Sequence, residues 1–164
     1  MSNNFQEKLK IGENFESNYV LPLLLDMHPG YWIESTHDYK TGQYAGPRVQ
    51  TSGKQPLILP DFKLFNPHNS HSVMYEAKYK AKAFSITGFI GKKFVAIEAS
   101  KVKDYNNVAR LFRSDLKYVI GCGETGKIYF CDASAWVPHY FDNKYYTGDV
   151  CAFELKDEDV VSNL

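Results

Sequence analysis

Two carboxylates and a lysine have the types and spacing of a catalytic site: Asp61, Glu76 and Lys78. Glu76 and Lys78 are two residues apart in an apolar and aromatic run, so in a strand their side chains point to the same face. Asp61 follows another apolar run, and a turn between the two segments would place its carboxylate beside Glu76. Because neighbouring carboxylates repel each other unless a positive charge lies between them, the pattern favours a shared cation site.

Magnesium is the cation that suits these residues. It prefers oxygen ligands and takes one or two carboxylates together with waters and substrate phosphate. Such an ion polarises a phosphodiester and lowers the pKa of an attacking water. Lys78 could orient that water or balance charge in the transition state. The expected chemistry is phosphodiester hydrolysis. The alternative is structural, with Asp61 capping a turn and Glu76 and Lys78 forming an exposed cross-strand pattern.

Hydrophobic periodicity predicts the elements that would position these residues. Residues 3–27 and 101–113 are predicted to be helices, and Pro22 should kink or divide the first. Strands are predicted over residues 31–33, 57–64, 73–81, 94–97 and 150–155, with a hairpin formed by residues 116–120 and 127–131. The order of helices and strands predicts an α/β fold with a central mixed sheet flanked by helices.

Length and composition predict one globular domain over residues 1–164. The chain is long enough for a single core, and its 44% hydrophobic residues argue against disorder. No apolar run reaches the length of a membrane span, and the first residues lack the apolar core of a signal peptide. The three cysteines match no zinc pattern and are interpreted as reduced and structural. A cytoplasmic protein without a membrane partner is expected.

The net charge is zero, but charge is unevenly distributed. Residues 78–113 hold nine basic and two acidic side chains, whereas the chain from residue 149 onward reads as an acidic tail. A basic stretch can bind a polyanion locally, although a solvated face is the simpler explanation of charge alone. The residues expected to contact nucleic acid are Lys80, Lys82, Lys92 and Lys93, with Arg48 and Ser52 from an earlier polar loop.

Two further patterns are interpreted as structural. Residues 121–127 satisfy GxGxxG, but Ile128 stands where a phosphate loop needs Ser or Thr, and strand-forming residues follow instead of a helix. A hairpin turn is therefore predicted, and no nucleotide cofactor is expected. His68 and His71 flank a turn without a third ligand nearby, which is typical of turn residues rather than of a zinc site.

The pair Pro60-Asp61 followed by Glu76-Ala77-Lys78 resembles the signature of the PD-(D/E)XK nuclease superfamily. This superfamily includes restriction endonucleases, archaeal and phage Holliday-junction resolvases and many phage exonucleases.

Three further features strengthen the resemblance. One is that the chain can be read in the core order of the family. The family usually carries a glutamate on its first helix, often four residues after a glycine. Gly12 and Glu16 fit that spacing, with Glu13 as the reserve choice. The run FVAIEASKVKDYNNVARLF, followed by LKYVIGC, resembles a phage-type subgroup with an Asp-Tyr pair, here Asp104-Tyr105. The resemblance covers roughly residues 10 to 132 and implies a core order of helix, strand ending in Asp, strand with ExK, helix and strand.

The resemblance implies a restriction-endonuclease-like fold and a Mg²⁺-dependent deoxyribonuclease in which Mn²⁺ can substitute. Asp61 and Glu76 would be metal ligands, with the Ala77 carbonyl as a third and Glu16 as a more distant ligand. Lys78 would be the catalytic lysine. Water activated by the metal would attack the phosphorus and leave a 5′ phosphate and a 3′ hydroxyl. The implied setting is phage-type, in a host cytoplasm.

The implied partners are DNA and a second copy of the chain, because two sites are needed to cut two strands symmetrically. Two alternatives stay open. One is an inactive nuclease-fold protein that binds nucleic acid or a protein, although the intact Asp61, Glu76 and Lys78 count against lost chemistry. The other is an interaction protein in which the motif arose by chance. Endonuclease and exonuclease action, and DNA and RNA substrates, are all compatible with the resemblance.

Overall fold

The computed structural model describes residues 3–36, 48–49, 56–132, 140–141 and 149–164. The helical elements are α1 (Asn3–Phe15), a π-helical segment (Glu16–Val20), α2 (Leu21–Met27), α3 (Ala99–Phe112) and a 3-10 turn (Asp157–Asp159). The strands are β1 (Trp32–Ser35), β2 (Arg48–Val49), β3 (Leu57–Ile58), β4 (Phe62–Phe65), β5 (Ser72–Lys80), β6 (Phe94–Glu98), β7 (Asp115–Cys122), β8 (Lys127–Asp132), β9 (Tyr140–Phe141), β10 (Val150–Glu154) and β11 (Val160–Asn163). Among the described residues, no helix is both long and apolar enough to cross a membrane.

A central sheet of six described strands has the order β1-β4-β5-β7-β8-β11. Only β5 and β7 are parallel within it, and the other neighbours are antiparallel. The chain passes from β5 to β7 through β6 and α3, since parallel neighbours need a crossover connection. The predicted central mixed sheet flanked by helices is confirmed. Residues 123–126 form the turn between β7 and β8, which confirms the hairpin interpretation of the glycine-rich segment.

Strand β5 lies in the middle of the fold and is buried on both faces. Met74 belongs to the core on the side of α3, whereas Tyr75 and Ala77 belong to the core on the side of the first helix. Strands covered on both faces are usually continuous apolar runs. Glu76 breaks that run although none of its surface is exposed. A buried carboxylate in a central strand needs a compensating interaction or a function.

A second sheet contains the described strands β6, β10 and β9. The sequence predicts β6 and β10 as strands, but it does not predict that they pair with each other, because they are distant in the chain. Residues 149–164, which read as an acidic tail, contribute the buried strand β10 and then β11, which pairs with β8. The three cysteines, Cys122, Cys131 and Cys151, are free and buried in the core, which confirms their structural interpretation.

The first helix continues through Pro22 by changing its hydrogen-bonding pattern. The Leu21 N–H donates to the carbonyl of Glu16, five residues earlier, as in a π-helix. Pro22 then lies in the first turn of α2, where a missing N–H costs little. Pro22, which is predicted to kink or divide the helix, therefore follows an interruption of the α-helical pattern over Glu16–Val20. The π-helical segment buries both Glu16 and Val20, so the division lies where a carboxylate turns inward.

Gly121 sets how closely the first helix can approach the sheet. A Cβ atom at this position would overlap the ring of Phe15, the residue before Glu16. We expect Gly121→Ala to lower the free energy of unfolding by about 1–3 kcal/mol, because overpacking forces a buried ring to move. Urea denaturation measures this change. Gly12→Ala is the matched control, since nothing lies within 4 Å of its added Cβ. Equal stability of the two variants would contradict this packing.

Candidate active site

The site forms where β4 separates from β5. Their pairing ends at Phe62 and Tyr75, and Asp61 lies in the bend before β4. The Ala77 N–H donates a 2.8 Å hydrogen bond to Asp61 Oδ2. Beyond the end of the β4–β5 pairing, this carboxylate therefore takes the place of a backbone acceptor from a neighbouring strand. The prediction of one strand over residues 57–64 is wrong, and so is the strand ending in Asp61 that the resemblance implies. Residues 57–58 pair with β2, and Asp61 precedes a strand instead of ending one.

The structure brings Asp61, Glu76 and Lys78 together, as the sequence predicts. The Lys78 Nζ forms an ion pair with Glu76 Oε1 and lies 3.9 Å from Asp61 Oδ2. Asp61 and Glu76 are both buried, whereas 28% of the Lys78 side chain is exposed. The exposed cross-strand alternative is therefore wrong for Glu76. Its carboxylate lies in the interior, and Lys78 connects it to the surface.

Burial, and then the charge of Asp61, raise the pKa of Glu76 from its ordinary value of 4.5 to about 8, although Lys78 and the Tyr105 hydroxyl partly oppose the shift. Among the described residues, no group gives either Glu76 oxygen a hydrogen bond of ordinary geometry. Lys78 forms an ion pair with one of these oxygens, and the Tyr105 hydroxyl favours the charged form of the carboxylate. Buried oxygens without a hydrogen bond in a native structure call for an ion or a water. Glu76 is therefore suited to bind a cation.

Lys78 stays protonated in this environment. Burial acts to lower its pKa, but the charges of Glu76 and Asp61 outweigh burial, and the pKa is raised. A lysine with a raised pKa is a poor general base. A protonated lysine can still donate a hydrogen bond to a water, so its state is compatible with both roles that the sequence suggests, orienting the water and balancing charge.

Glu16 reaches the same region from the π-helical segment. It is 7% exposed, and its charge contributes to the raised pKa of Lys78. Glu13, the reserve choice, is exposed. Glu16 lines a cleft of about 610 Å³ together with Ala77, Lys78 and Lys80. Within the described ranges, no three His, Cys, Asp or Glu side chains are close enough to form a metal site.

Asp61 and Glu76 fit a magnesium ion, because Mg²⁺ commonly uses one or two carboxylates and completes its shell with water and phosphate. The buried oxygens of Glu76, which receive no hydrogen bond of ordinary geometry and contact one ammonium group, are the observation that supports this fit. The N–H and C=O of a strand residue point to the same side. Since the Ala77 N–H points to Asp61, the Ala77 carbonyl also faces this edge of β5.

Two tyrosines beside Glu76 were not identified from the sequence. Tyr105 on α3 and Tyr118 on β7 are both buried. Burial, and then the charge of Glu76, raises the pKa of each hydroxyl, so both are neutral. In the sequence, Tyr105 stands out only through the Asp104-Tyr105 pair of the resemblance. Nothing in the sequence distinguishes Tyr118 from any other aromatic residue of a strand.

The residues predicted to contact nucleic acid are dispersed. Lys80 lines the cleft, and burial lowers its pKa to about 8, with the charges of Lys78 and Lys101 adding to the effect. Lys82 is exposed just after β5. Arg48 is exposed in strand β2, not in a loop, and Ser52 lies outside the described residues.

Lys92 and Lys93 are paired with acidic side chains. The Lys92 Nζ lies 3.0 Å from Glu154, and the Lys93 Nζ lies 3.0 Å from Glu124. Neither lysine is among the residues that line the cleft. The turn histidine His71 is paired in the same way, 3.0 Å from Asp115.

The sequence matches no protein-family model, and no curated protein sequence matches it. Among solved structures, the chain is similar to Hjc, a Holliday junction resolvase from the archaeal hyperthermophile Archaeoglobus fulgidus. The TM-score is 0.51 at 14% identity, and the match covers 92% of this chain and 95% of that chain. At this identity the likeness shows the fold, and the predicted restriction-endonuclease-like α/β architecture is confirmed.

Proposed function

We propose that this chain is a magnesium-dependent deoxyribonuclease of the PD-(D/E)XK type, related to phage enzymes, with Mn²⁺ as a substitute ion. The observation that carries the proposal is the meeting of Asp61, Glu76 and Lys78 where β4 separates from β5. A fold shared with a Holliday junction resolvase supports the same conclusion.

Each residue has a role that follows from its surroundings. The Ala77 N–H holds the Asp61 carboxylate in place, so its position does not depend on substrate. Glu76 contributes a buried carboxylate that needs a positive charge to ionise near neutral pH. Asp61 and Glu76 would hold a Mg²⁺ ion, which would supply positive charge to polarise the phosphodiester and activate a water. Lys78, held protonated, stabilises charge that develops on the phosphoryl oxygens.

The cleft beside these residues offers a path for the DNA backbone. Lys80 lies in it, and an approaching phosphate would raise the pKa of this lysine and favour its charged form. Lys92 and Lys93 would exchange their carboxylate partners for phosphates. Exposed ion pairs contribute only about 0–1 kcal/mol, so the exchange costs little. Lys82, Arg48 and Ser52 complete the proposed backbone contacts.

Cleavage assays test the proposal directly. The protein is incubated with single-stranded, duplex and four-way-junction DNA, and with RNA, in magnesium, in manganese and in chelator. We expect cutting that depends on the metal and leaves 5′ phosphate and 3′ hydroxyl ends. The preferred substrate identifies the subclass, and paired cuts would call for two copies of the chain. A folded protein that cuts none of these substrates would contradict the proposal.

A second candidate is an inactive nuclease-fold protein that binds nucleic acid. The observation that favours it is the ion pair of Lys78 with Glu76, because an ammonium group already supplies positive charge beside the carboxylates. Such a protein would bind DNA in a salt-sensitive manner. Its binding would not depend on a divalent ion, and it would not cut. Cutting in the magnesium arm of the assay, which only the nuclease would show, separates the two candidates.

A further inference from the structure

The loop between β5 and β6 carries an unusually exposed apolar side chain at its tip. Ile90 is 98% exposed, more than any other large hydrophobic residue among those described. Single exposed apolar residues are common and usually need no explanation. Ile90 differs because the backbone beneath it is ordered by several specific contacts.

Two glycines shape the tip on either side of Ile90. Gly88 has a φ of +92° and Gly91 a φ of +76°, which other residues adopt only with strain. Backbone hydrogen bonds close the turn, from the Phe89 N–H to Ile86 at 3.1 Å and from the Lys92 N–H to Phe89 at 3.3 Å. The tip is therefore a built turn that projects one side chain.

Phe89, the neighbour of Ile90, anchors the tip to the fold. Its ring packs edge to face on Phe94, with 5.6 Å between centroids. Phe94 also exchanges two 2.9 Å backbone hydrogen bonds with Phe84 at the base of the loop. Because Phe89 packs inward and Ile90 projects outward, the apolar tip is preorganised and would lose little conformational entropy on binding.

The loop is also tied to the end of the fold where the cleft opens. It leaves β5 directly after Lys80, which lines the cleft. The Ala83 N–H donates a 3.0 Å hydrogen bond to Glu124 in the turn between β7 and β8, and Lys93 pairs with the same carboxylate. The loop that carries Ile90 therefore begins at residues that line the cleft.

Lysines surround this apolar tip. Lys82 precedes it, Lys93 follows it, and the Lys92 ammonium lies 6.0 Å from the centre of the Phe89 ring. One isoleucine is far too small for a protein interface, which buries many residues on each side. A single apolar residue flanked by cations fits DNA, where apolar wedges enter between base steps while cations contact phosphates.

We propose that Ile90 is a wedge that inserts between neighbouring bases of DNA bound in the cleft and unstacks them. This inference rests on the proposed function, because it requires DNA in the cleft. It adds a way to recognise deformable or open DNA, since unstacking costs least at steps that are flexible or already disrupted.

Fluorescence of 2-aminopurine tests the wedge. The base analogue is placed at successive positions of a duplex and a four-way junction, and binding is followed with Asp61→Asn protein to prevent cutting. We expect fluorescence to rise severalfold at one or two neighbouring positions, as bases unstack. Adding Ile90→Ser should abolish the rise and weaken binding roughly threefold to tenfold, whereas Ile90→Phe should preserve both.

Leu111→Ser is the matched control, because Leu111 is also an exposed apolar residue, at 59%, but lies on α3. It should change neither fluorescence nor affinity. Unchanged fluorescence and affinity with Ile90→Ser would overturn the wedge alone, provided that the parent protein binds and cuts DNA. If Ile90→Ser instead disrupts self-association and leaves fluorescence intact, the tip is a protein contact and the wedge is overturned. A parent that binds no DNA would overturn the wedge and the proposed function together.

Discussion

Replacing Lys78 with alanine should slow DNA cleavage by roughly a hundredfold to a thousandfold, the loss typical of removing one group that stabilises transition-state charge. Lys78 is held protonated between Glu76 and Asp61, so the variant loses a permanent cation. Single-turnover cleavage at saturating protein measures the chemical step separately from binding. Lys103→Ala is the matched control, because Lys103 is an exposed lysine on α3, outside the cleft.

Asp61→Asn should abolish cleavage while leaving the fold intact. The asparagine carbonyl can still accept the hydrogen bond from the Ala77 N–H, but the negative charge is lost. Asp61→Ala removes the acceptor as well and should also cost about 1–3 kcal/mol of stability, since a buried N–H loses its partner. If Lys78→Ala or Asp61→Asn protein is folded, binds DNA and cuts at the parent rate, the assignment of this site is wrong.

Glu76→Gln should stabilise the protein at alkaline pH when chelator is present. Between pH 4.5 and about 8, the folded protein keeps a proton on Glu76 that the unfolded chain releases. The folded state then binds more protons, so stability falls as pH rises through this window. Glutamine has the shape of the protonated acid and does not titrate. We expect the variant to be more stable by about 2–4 kcal/mol near pH 8.5.

Urea denaturation at several pH values measures this difference, which should shrink toward zero as pH approaches 4.5. Magnesium added at alkaline pH should stabilise the parent protein and have little effect on the variant, because a neutral amide is a weaker ligand. A stability difference that stays constant with pH would contradict the raised pKa of Glu76. Stabilisation of both proteins by magnesium would place the ion elsewhere.

The core of the site could be predicted because it depends on local rules. Glu76 and Lys78 share a face because side chains alternate along a strand. Asp61 lies beside Glu76 because residues 66–71 form a short connection between two antiparallel strands. Both relations depend on residues that are near each other in the sequence. The spacing between Pro60-Asp61 and Glu76-Ala77-Lys78 therefore indicates both.

The parts that could not be predicted depend on contacts between distant residues. Tyr105 reaches Glu76 only because α3, on the crossover from β5 to β7, packs in the same core as Met74 and Tyr118. Lys92 looked free to bind phosphate, but its partner Glu154 is 62 residues away. The pairing of β6 with β10 is equally distant. No periodicity within a segment indicates which remote segment it will meet.

The parallel pairing of β5 with β7 has a consequence for how the protein folds. The hairpins β4–β5 and β7–β8 are local and can form within microseconds. The two strands at the centre of the sheet can pair only after residues 81–114 have been looped out. This slows folding, because closing the loop costs conformational entropy before the contacts between the strands compensate for it. Until then, β5 has an open edge and exposes an apolar surface that chaperones recognise. A nascent chain would therefore assemble its two carboxylates early and enclose them late.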